Sequence, residues 1–290
     1  MTQDRLPQLT PADERIAWHR SDIEQSLYFS GARFTRVNTL LSLLTGLLLS
    51  CAFYALMACV PWPSLRTRFY DQGWIPYVTV MAAGWSMAIL FFKWRKLDMQ
   101  RRCLEMKVIP DDPEFVLSPG TVNEVLGRIG MLVDDPRQFL LLNRITIALS
   151  NLRNLGRVAD VDDILRSQAE SDEAISESSY ILLGGFLWAI PILGFIGTVL
   201  GLSIAIGQFG TAMTAAAGAP DALMPALKKV TAGLAIAFDT TLVALVFALI
   251  IQLLVTFLRK SELEFLDSCS EYCSKNIVNR LRLLPFQDDE

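Results

Sequence analysis

Residues Trp188 to Gly201 read WAIPILGFIGTVLG, a stretch that combines strong hydrophobicity with an unusual density of small residues. It contains one proline, three glycines and one threonine. A helix that faces only lipid does not need this composition, whereas small residues let the backbones of two membrane helices approach closely. The stretch therefore predicts a membrane helix that packs tightly against another helix.

The stretch lies in one of four segments that are long and apolar enough to cross a bilayer. A bilayer core of about 30 Å requires about 20 apolar helical residues, and 52% of the 290 residues are hydrophobic. The predicted spans are residues 37–60, 74–92, 180–207 and 230–258. The sequence therefore predicts an all-α, multi-pass membrane protein, with a peripheral hairpin over residues 37–92 and a core hairpin over residues 180–258.

Positively charged residues near the spans indicate their orientation, because Lys and Arg accumulate on the cytoplasmic side. Arg33 and Arg36 precede the first span, and Arg259 and Lys260 follow the fourth. A third group follows the second span and consists of Lys93, Arg95, Lys96, Arg101 and Arg102. We therefore expect both termini in the cytoplasm and the short connection within each hairpin on the outer side.

Three further regions lie outside the spans. Residues 1–36 are predicted to form a cytoplasmic or interfacial arm, residues 93–179 a cytoplasmic helical segment, and residues 259–290 a cytoplasmic C-terminal helix. Apolar residues recur at positions i, i+3, i+4 and i+7 between Leu142 and Leu155, which is the pattern of an amphipathic helix.

Two of the spans are expected to continue as long helices beyond the membrane. No Gly or Pro separates Asp160 from the third span, and none follows the fourth span before the C-terminal segment ends near Leu281. Because these residues are the usual helix breakers, we expect one unbroken helix from about Asp160 into the third span. We also expect the fourth span to extend past residue 258.

Polar side chains inside the fourth span are candidates for an ion pathway. At 100° per residue, Thr241 and Gln252 share one face with Thr256 close by, whereas Asp239 points nearly the opposite way. An acid inside a bilayer costs at least about 2.5–3.5 kcal/mol and is interpreted first as functional, with a proton or a sodium ion as its partner. The structural alternative is a protonated Asp239 that hydrogen-bonds to a threonine on an adjacent helix.

Other kinds of chemistry find little support in the sequence. The single histidine, His19, excludes a histidine-based triad and a multi-histidine metal site. The five cysteines form no CxxC pair, and Cys269 and Cys273 are interpreted as reduced thiols packed on one helix face rather than as metal ligands. At a net charge of −4, no basic cluster suggests nucleic-acid binding. We therefore expect a protein that is not an enzyme and that uses no metal or organic cofactor.

Two segments of the core hairpin resemble the paired core helices of the MotA/TolQ/ExbB family, the larger subunits of ion-driven motors in the bacterial inner membrane. PILGFIGTVLGLSIAI begins at Pro191, and ALKKVTAGLAIAFDTTLVAL begins at Ala226. The first fits the pattern Pro-x-Leu-Gly-x-x-Gly-Thr-Val-x-Gly, and the second fits Ala-Leu followed by Gly-Leu-x-x-Ala. The matching positions are Pro191, Leu193, Gly194, Gly197, Thr198, Val199, Gly201, Ala226, Leu227, Gly233, Leu234 and Ala237. Four spans are more similar to MotA than to the three-span TolQ and ExbB.

The resemblance implies a homopentamer around two copies of a single-pass partner similar to MotB, TolR or ExbD, whose membrane helix carries an essential aspartate. The third and fourth spans would line a central pore, and proton or sodium flow past the partner's aspartate would drive rotation. Thr198 matches the family's pore-lining threonine, and Thr231, Asp239, Thr240 and Thr241 are the other candidates for the ion pathway. The candidates for helix packing or bending are Pro191, Gly194, Gly197, Gly201 and Gly233.

The fourth span departs from the TolQ and ExbB pattern at several positions. Val230 stands at the place of the second threonine, with Thr231 one residue away. Pro225 stands where that branch has an acid, and Asp239 stands where it has a proline. Three functions stay open: an ion-conducting motor subunit, a non-conducting membrane scaffold or signalling subunit of the same fold, and a solute transporter or self-contained channel. The third would need an internal repeat or unwound helices at mid-membrane, and the two hairpins show no obvious similarity.

Overall fold

A computed structural model describes residues 23–26, 33–59, 61–70, 72–106, 108–109, 117–118, 120–155, 159–216 and 223–281. This part of the chain is helical and contains no strand, apart from one isolated bridge between Leu117 and Leu281. Its α-helices are α1 (Ile23–Ser26), α2 (Thr39–Cys59), α3 (Pro63–Tyr70), α4 (Ile75–Arg102), α5 (Val122–Leu132), α6 (Leu140–Leu155), α7 (Ala159–Ser178), α8 (Ile181–Ala216) and α9 (Leu223–Asn276). The predicted all-α class is confirmed for the residues described.

In the part of the chain that the structure describes, four helical stretches are long and apolar enough to cross a membrane. They are Thr39–Cys59, Ile75–Glu105, Asp160–Thr211 and Val230–Arg280, and the last has the highest mean hydropathy, 2.7. They contain the predicted spans almost entirely, so the expectation of a multi-pass membrane protein with four spans is confirmed. The orientation of the termini stays a prediction.

One compact unit, called here the membrane unit, consists of Thr39–Phe91 and Tyr180–Leu258. Within it, α2 and α4 approach so closely that a Cβ atom on Gly46 would lie 2.5 Å from the Cα atom of Trp85. A Cβ atom on Gly84 would lie 2.6 Å from the Oγ atom of Ser50. The peripheral hairpin is therefore packed backbone to backbone, as small residues permit in membrane helices.

The other compact unit, called here the ion-pair unit, consists of the described residues within Met1–Asn38, Phe92–Ser179 and Arg259–Glu290. Its apolar core contains the predicted amphipathic helix, which is confirmed as α6. The apolar side chains of α6 that are buried are Leu140, Leu141, Leu142, Ile145, Ala148, Leu149 and Leu152. They recur at the spacing of one helix face, and α7 packs against α6 in a helical hairpin.

Three buried ion pairs distinguish this unit. The pairs and their N–O distances are Lys93–Glu262 (3.1 Å), Lys96–Glu24 (2.7 Å) and Arg144–Asp172 (2.9 Å). No side chain among them is more than 5% exposed. Hydroxyl groups complete two of the pairs, since Lys93 donates to Ser179 (2.8 Å) and Arg144 donates to Ser270 (3.0 Å).

The expected unbroken helix from Asp160 into the third span is interrupted at Ser179 and Tyr180, between α7 and α8. Ser178 Oγ donates to the carbonyl of Ile175, and Ser179 Oγ donates to the carbonyl of Ser176. Serine side chains compete with the helical backbone in this way, which accounts for the turn. The expected extension of the fourth span is confirmed, because α9 continues to Asn276.

Two cysteines of α9 lie in the core of the ion-pair unit. Cys269 and Cys273 are free thiols and both are buried. Their positions agree with the interpretation of packed thiols. Of the predicted N-terminal arm, the structure describes residues 23–26 and 33–36, so His19 lies outside the described residues.

Candidate functional site

The glycines of the opening stretch face α9 within the membrane unit. A Cβ atom on Gly197 would lie 2.5 Å from Thr240 Oγ1, and one on Gly201 would lie 2.9 Å from both the Cβ and the backbone nitrogen of Ala237. Contacts this short leave no room for a side chain on either glycine. The small residues therefore bring α8 and α9 of one chain into backbone contact.

The same close approach continues along both helices. A Cβ atom on Gly194 would lie 2.6 Å from the Cβ atom of Ala244, and one on Gly233 would lie 3.1 Å from the Cβ atom of Ala205. Pro191, the predicted bending residue, lies inside α8, and the helix continues past it. The four glycines predicted to serve helix packing all take part in the α8–α9 contact.

Two threonines form reciprocal hydrogen bonds across this contact. Thr198 Oγ1 lies 3.1 Å from the carbonyl oxygen of Ala237, and Thr241 Oγ1 lies 3.0 Å from the carbonyl oxygen of Gly194. The two hydroxyl groups are also in hydrogen-bonding contact with each other. Each hydroxyl further approaches the carbonyl of its own helix, Thr198 at 3.3 Å from Gly194 and Thr241 at 3.4 Å from Ala237.

This threonine pair gathers four oxygen atoms in one place. Each hydroxyl oxygen lies within 3.4 Å of both carbonyl oxygens. Both side chains are half-buried. A hydroxyl group donates one hydrogen and accepts through two lone pairs, and carbonyl oxygens can replace the water around a cation. The arrangement can therefore pass a proton between hydroxyls or present oxygens to a monovalent cation.

Of the other two predicted threonines, Thr240 shares the carbonyl oxygen of Ala237 with this pair, whereas Thr231 lies apart from it. Thr240 is 4% exposed, faces Gly197, and donates to the carbonyl of Ala237 (2.9 Å). Thr231 is exposed and donates to backbone carbonyls of its own helix, those of Leu227 and Lys228. The hydroxyls of Thr240 and Thr231 are thus both bonded to backbone carbonyls of their own helix, and their place in the ion pathway stays a prediction.

Asp239 faces the connection between the two helices of the peripheral hairpin. Its Oδ1 atom lies 3.4 Å from Arg68 Nε, and its Oδ2 atom accepts a hydrogen bond from Gln72 Nε2 (3.1 Å). In this structure the contacts of Asp239 are therefore Arg68 and Gln72 rather than a threonine on an adjacent helix, and its place in the ion pathway stays a prediction. Asp239 lies nine residues after the predicted start of the span at Val230 and 19 residues before its end at Leu258, about 14 Å and 29 Å of helix, so it lies in the half of the span nearer Val230.

Sequence reasoning missed Arg68 and Gln72 as the partners of this acid. A signal was present, since Arg68 lies in the short connection predicted to face outward, where positive charge is disfavoured. An arginine there and an acid at the same end of a span are a natural ion pair. The partner itself could not be chosen from the sequence, because 171 positions separate the two residues.

A comparison with known families places this site in context. Residues 141–268 match the model of the MotA/TolQ/ExbB proton channel family. The resemblance of the core hairpin to this family is therefore confirmed over residues 141–268. No curated protein and no solved structure matches the chain.

The MotA/TolQ/ExbB segment contains the threonine pair, the four packing glycines and Asp239. It begins within α6 and ends within α9. The peripheral hairpin lies outside it, and so do Arg68 and Gln72. The oxygen cluster therefore lies in the part of the chain that resembles a proton channel, whereas the partners of Asp239 lie in the part that does not match.

Proposed function

We propose that the protein is the ion-conducting subunit of an inner-membrane motor complex, which couples the proton motive force, or a sodium gradient, to mechanical work. Five copies would surround two copies of a single-pass partner similar to MotB, TolR or ExbD, with both termini of this chain in the cytoplasm. The membrane potential supplies about 2.3 kcal/mol per charge per 100 mV. The threonine pair, within a segment of a proton channel family, is the observation that carries this proposal.

The geometry of the pair suits ion transfer. A hydroxyl that accepts a proton on one lone pair releases its own proton to the next oxygen, so Thr198 and Thr241 form two steps of a relay. When both hydroxyl hydrogens turn away, the same hydroxyls and the carbonyls of Gly194 and Ala237 present lone pairs to a sodium ion. The packing glycines make this possible because they let each hydroxyl reach the opposite backbone.

The first experiment is native mass spectrometry of the detergent-extracted protein. A mass of five chains, alone or with two copies of a small co-purifying protein, is expected and would identify the partner. A stable monomer or dimer would remove the central pore, and with it the mechanism proposed here.

The second experiment is ion flux through the complex in liposomes with Thr198→Val. Loss of the hydroxyl should reduce the flux by at least about tenfold. This is a conservative figure, because one positioned proton-transfer group usually contributes about 10²- to 10⁴-fold to a rate. Thr198→Ser keeps the hydroxyl and should retain most of the flux. Thr211→Val is the matched control on α8, because Thr211 is exposed and donates to its own helix (2.9 Å to the carbonyl of Gln208). Normal flux in Thr198→Val would contradict the proposal, and a requirement for sodium in the buffer would identify the ion.

A non-conducting scaffold is the second candidate, and two observations favour it. Both hydroxyls of the threonine pair find acceptors within one chain, and Asp239 is paired with Arg68. A scaffold predicts that Thr198→Val and Asp239→Asn both preserve assembly with the partner and that no ion flux is measurable in the unaltered complex. Ion flux in the unaltered complex that Thr198→Val abolishes would exclude the scaffold.

A further inference from the structure

Gln252 is an exposed amide in the most apolar of the four spans. Between residues 230 and 258, Asp239 and Gln252 are the only side chains with a carboxyl or amide group. Gln252 Nε2 donates to Thr256 Oγ1 (3.3 Å), and Thr256 Oγ1 donates to the backbone carbonyl of Gln252 (2.8 Å). Both side chains are exposed, and among the described residues the amide of Gln252 forms no hydrogen bond with another helix.

Lipid is a poor environment for this amide. Moving an amide from water into hydrocarbon without full hydrogen bonding costs roughly 2–7 kcal/mol. Gln252 lies six residues from the predicted end of the span at Leu258, about 9 Å of helix, which is too far for its side chain to reach the interface. The exposed face of Gln252 therefore requires water or a polar group opposite it.

The position of Gln252 on α9 indicates what lies opposite. Measured from Thr241 at 100° per residue, Gln252 lies at about 20°, Thr256 at about 60° and Thr231 at about 80°. All three are exposed. The buried face lies elsewhere, at about 260–340°, and its members are Gly233, Ala237, Thr240, Ala244, Ala248, Ile251, Val255 and Leu258. A polar edge of α9 thus begins at the threonine pair and runs toward Leu258.

We infer that Gln252 and Thr256 line the ion path between the threonine pair and the end of the span at Leu258. This inference rests on the proposed function, because it extends the path that the threonine pair begins. The amide oxygen of Gln252 and the hydroxyl of Thr256 accept hydrogen bonds from water around a proton or a monovalent cation. These two residues keep that stretch of the path hydrated where it is otherwise bordered by Leu245 and Leu249, which are exposed on the same side.

Thiol accessibility tests the inference on the full chain in its complex. The exposed Cys51 and Cys59 are first changed to alanine, and Gln252→Cys is then reacted in liposomes with a membrane-impermeant cationic methanethiosulfonate. Leu253→Cys is the matched control, since Leu253 is 50% exposed at nearly the same depth but points about 100° away. Only a hydrated thiol ionises to the reactive thiolate, so Gln252→Cys should react at least about tenfold faster. Thr256→Cys should react fast as well, and it replaces Gln252→Cys as the test variant if Gln252→Cys does not assemble.

Thr241→Cys, reacted in parallel, separates the two hypotheses. Fast labelling of Thr241→Cys with slow labelling of both Gln252→Cys and Thr256→Cys would overturn this inference and leave the proposed path through the threonine pair standing. Such a result would mean that a second helix covers the edge. Slow labelling at Thr241, Gln252 and Thr256 alike would overturn both hypotheses. Gln252→Leu should also lower the ion flux of the complex, whereas Leu253→Ala should not.

Discussion

The two units of this chain both consist of helices, but they differ in the kinds of residue that meet between those helices. The ion-pair unit buries three charge pairs beside a leucine-rich core. In the membrane unit, the ion pair formed by described residues, Arg68–Asp239, is partly exposed, and glycines, alanines and hydroxyls make the closest contacts between the helices. Helices in lipid gain no hydrophobic energy from meeting each other, so close backbone contact and short hydrogen bonds replace it. The ion-pair unit therefore depends on keeping the charges it buries paired, whereas the membrane unit depends on the close approach that small residues allow.

The largest effect is expected from removing one member of a buried charge pair. Glu262→Leu removes the carboxylate paired with the buried Lys93, leaves the hydrogen bond from Lys93 to Ser179 in place, and also removes an acceptor of the Thr35 hydroxyl. Breaking a buried pair in this way should lower the free energy of unfolding by about 3–5 kcal/mol. The measurement is denaturant unfolding of the detergent-solubilised protein.

The double variant Lys93→Met/Glu262→Leu is the control for this prediction. Replacing both charges with apolar groups of similar size is often neutral or stabilising, so most of the lost stability should return. A double variant as unstable as Glu262→Leu would mean that the charges themselves, rather than their pairing, are needed.

The next effect concerns the packing of the membrane unit. Gly197→Ala places a methyl group 2.5 Å from Thr240 Oγ1, and such overpacking should cost about 1–3 kcal/mol. Gly185→Ala is the matched control on α8. Apart from its chain neighbours and the nearby backbone of the same helix, nothing lies within 4 Å of the position that its methyl group would occupy. That change should instead stabilise the helix by roughly 0.5–1 kcal/mol, since alanine is the better helix former. Equal effects of the two variants on the thermal midpoint would show that close α8–α9 contact is unimportant.

Local patterns in the sequence were sufficient to predict the spans, the amphipathic helix α6 and the glycine stripe. Each of these depends on hydropathy or spacing within a few helical turns. The partners of polar residues depend on the tertiary fold and were not predictable in this way. Asp239 is the example, because its partner Arg68 is distant in the chain and belongs to the other hairpin. The turn at Ser179 escaped prediction for a related reason, since serine hydroxyls rather than Gly or Pro accompany it.

A smaller effect is expected for the partly exposed pair of the membrane unit. Arg68 and Asp239 are 41% and 25% exposed, and their closest N–O distance is 3.4 Å. Asp239→Asn keeps an oxygen that Gln72 can donate to, so the loss of stability should stay below about 1 kcal/mol. Unfolding at low and high salt provides the check, because the unaltered protein should lose this increment as salt screens the charges. A loss near that of Glu262→Leu would place Asp239 in a dry environment and support its prediction as part of the ion pathway.

The smallest effect is expected within the ion-pair unit itself, where α7 carries a buried and an exposed acid close together. Asp172 is buried against Arg144, whereas the Arg166–Glu170 pair has an N–O distance of 3.9 Å and side chains that are 81% and 75% exposed. Glu170→Gln should change the free energy of unfolding by at most about 0.5 kcal/mol, as is usual for an i,i+4 pair on a helix surface. Asp172→Asn in the same assay should cost several times more, because Arg144 then stays buried opposite a neutral side chain. If both variants lowered the free energy of unfolding by the same small amount, burial would not determine how much a charge pair matters in this unit. The contrast with the membrane unit would then depend on packing alone.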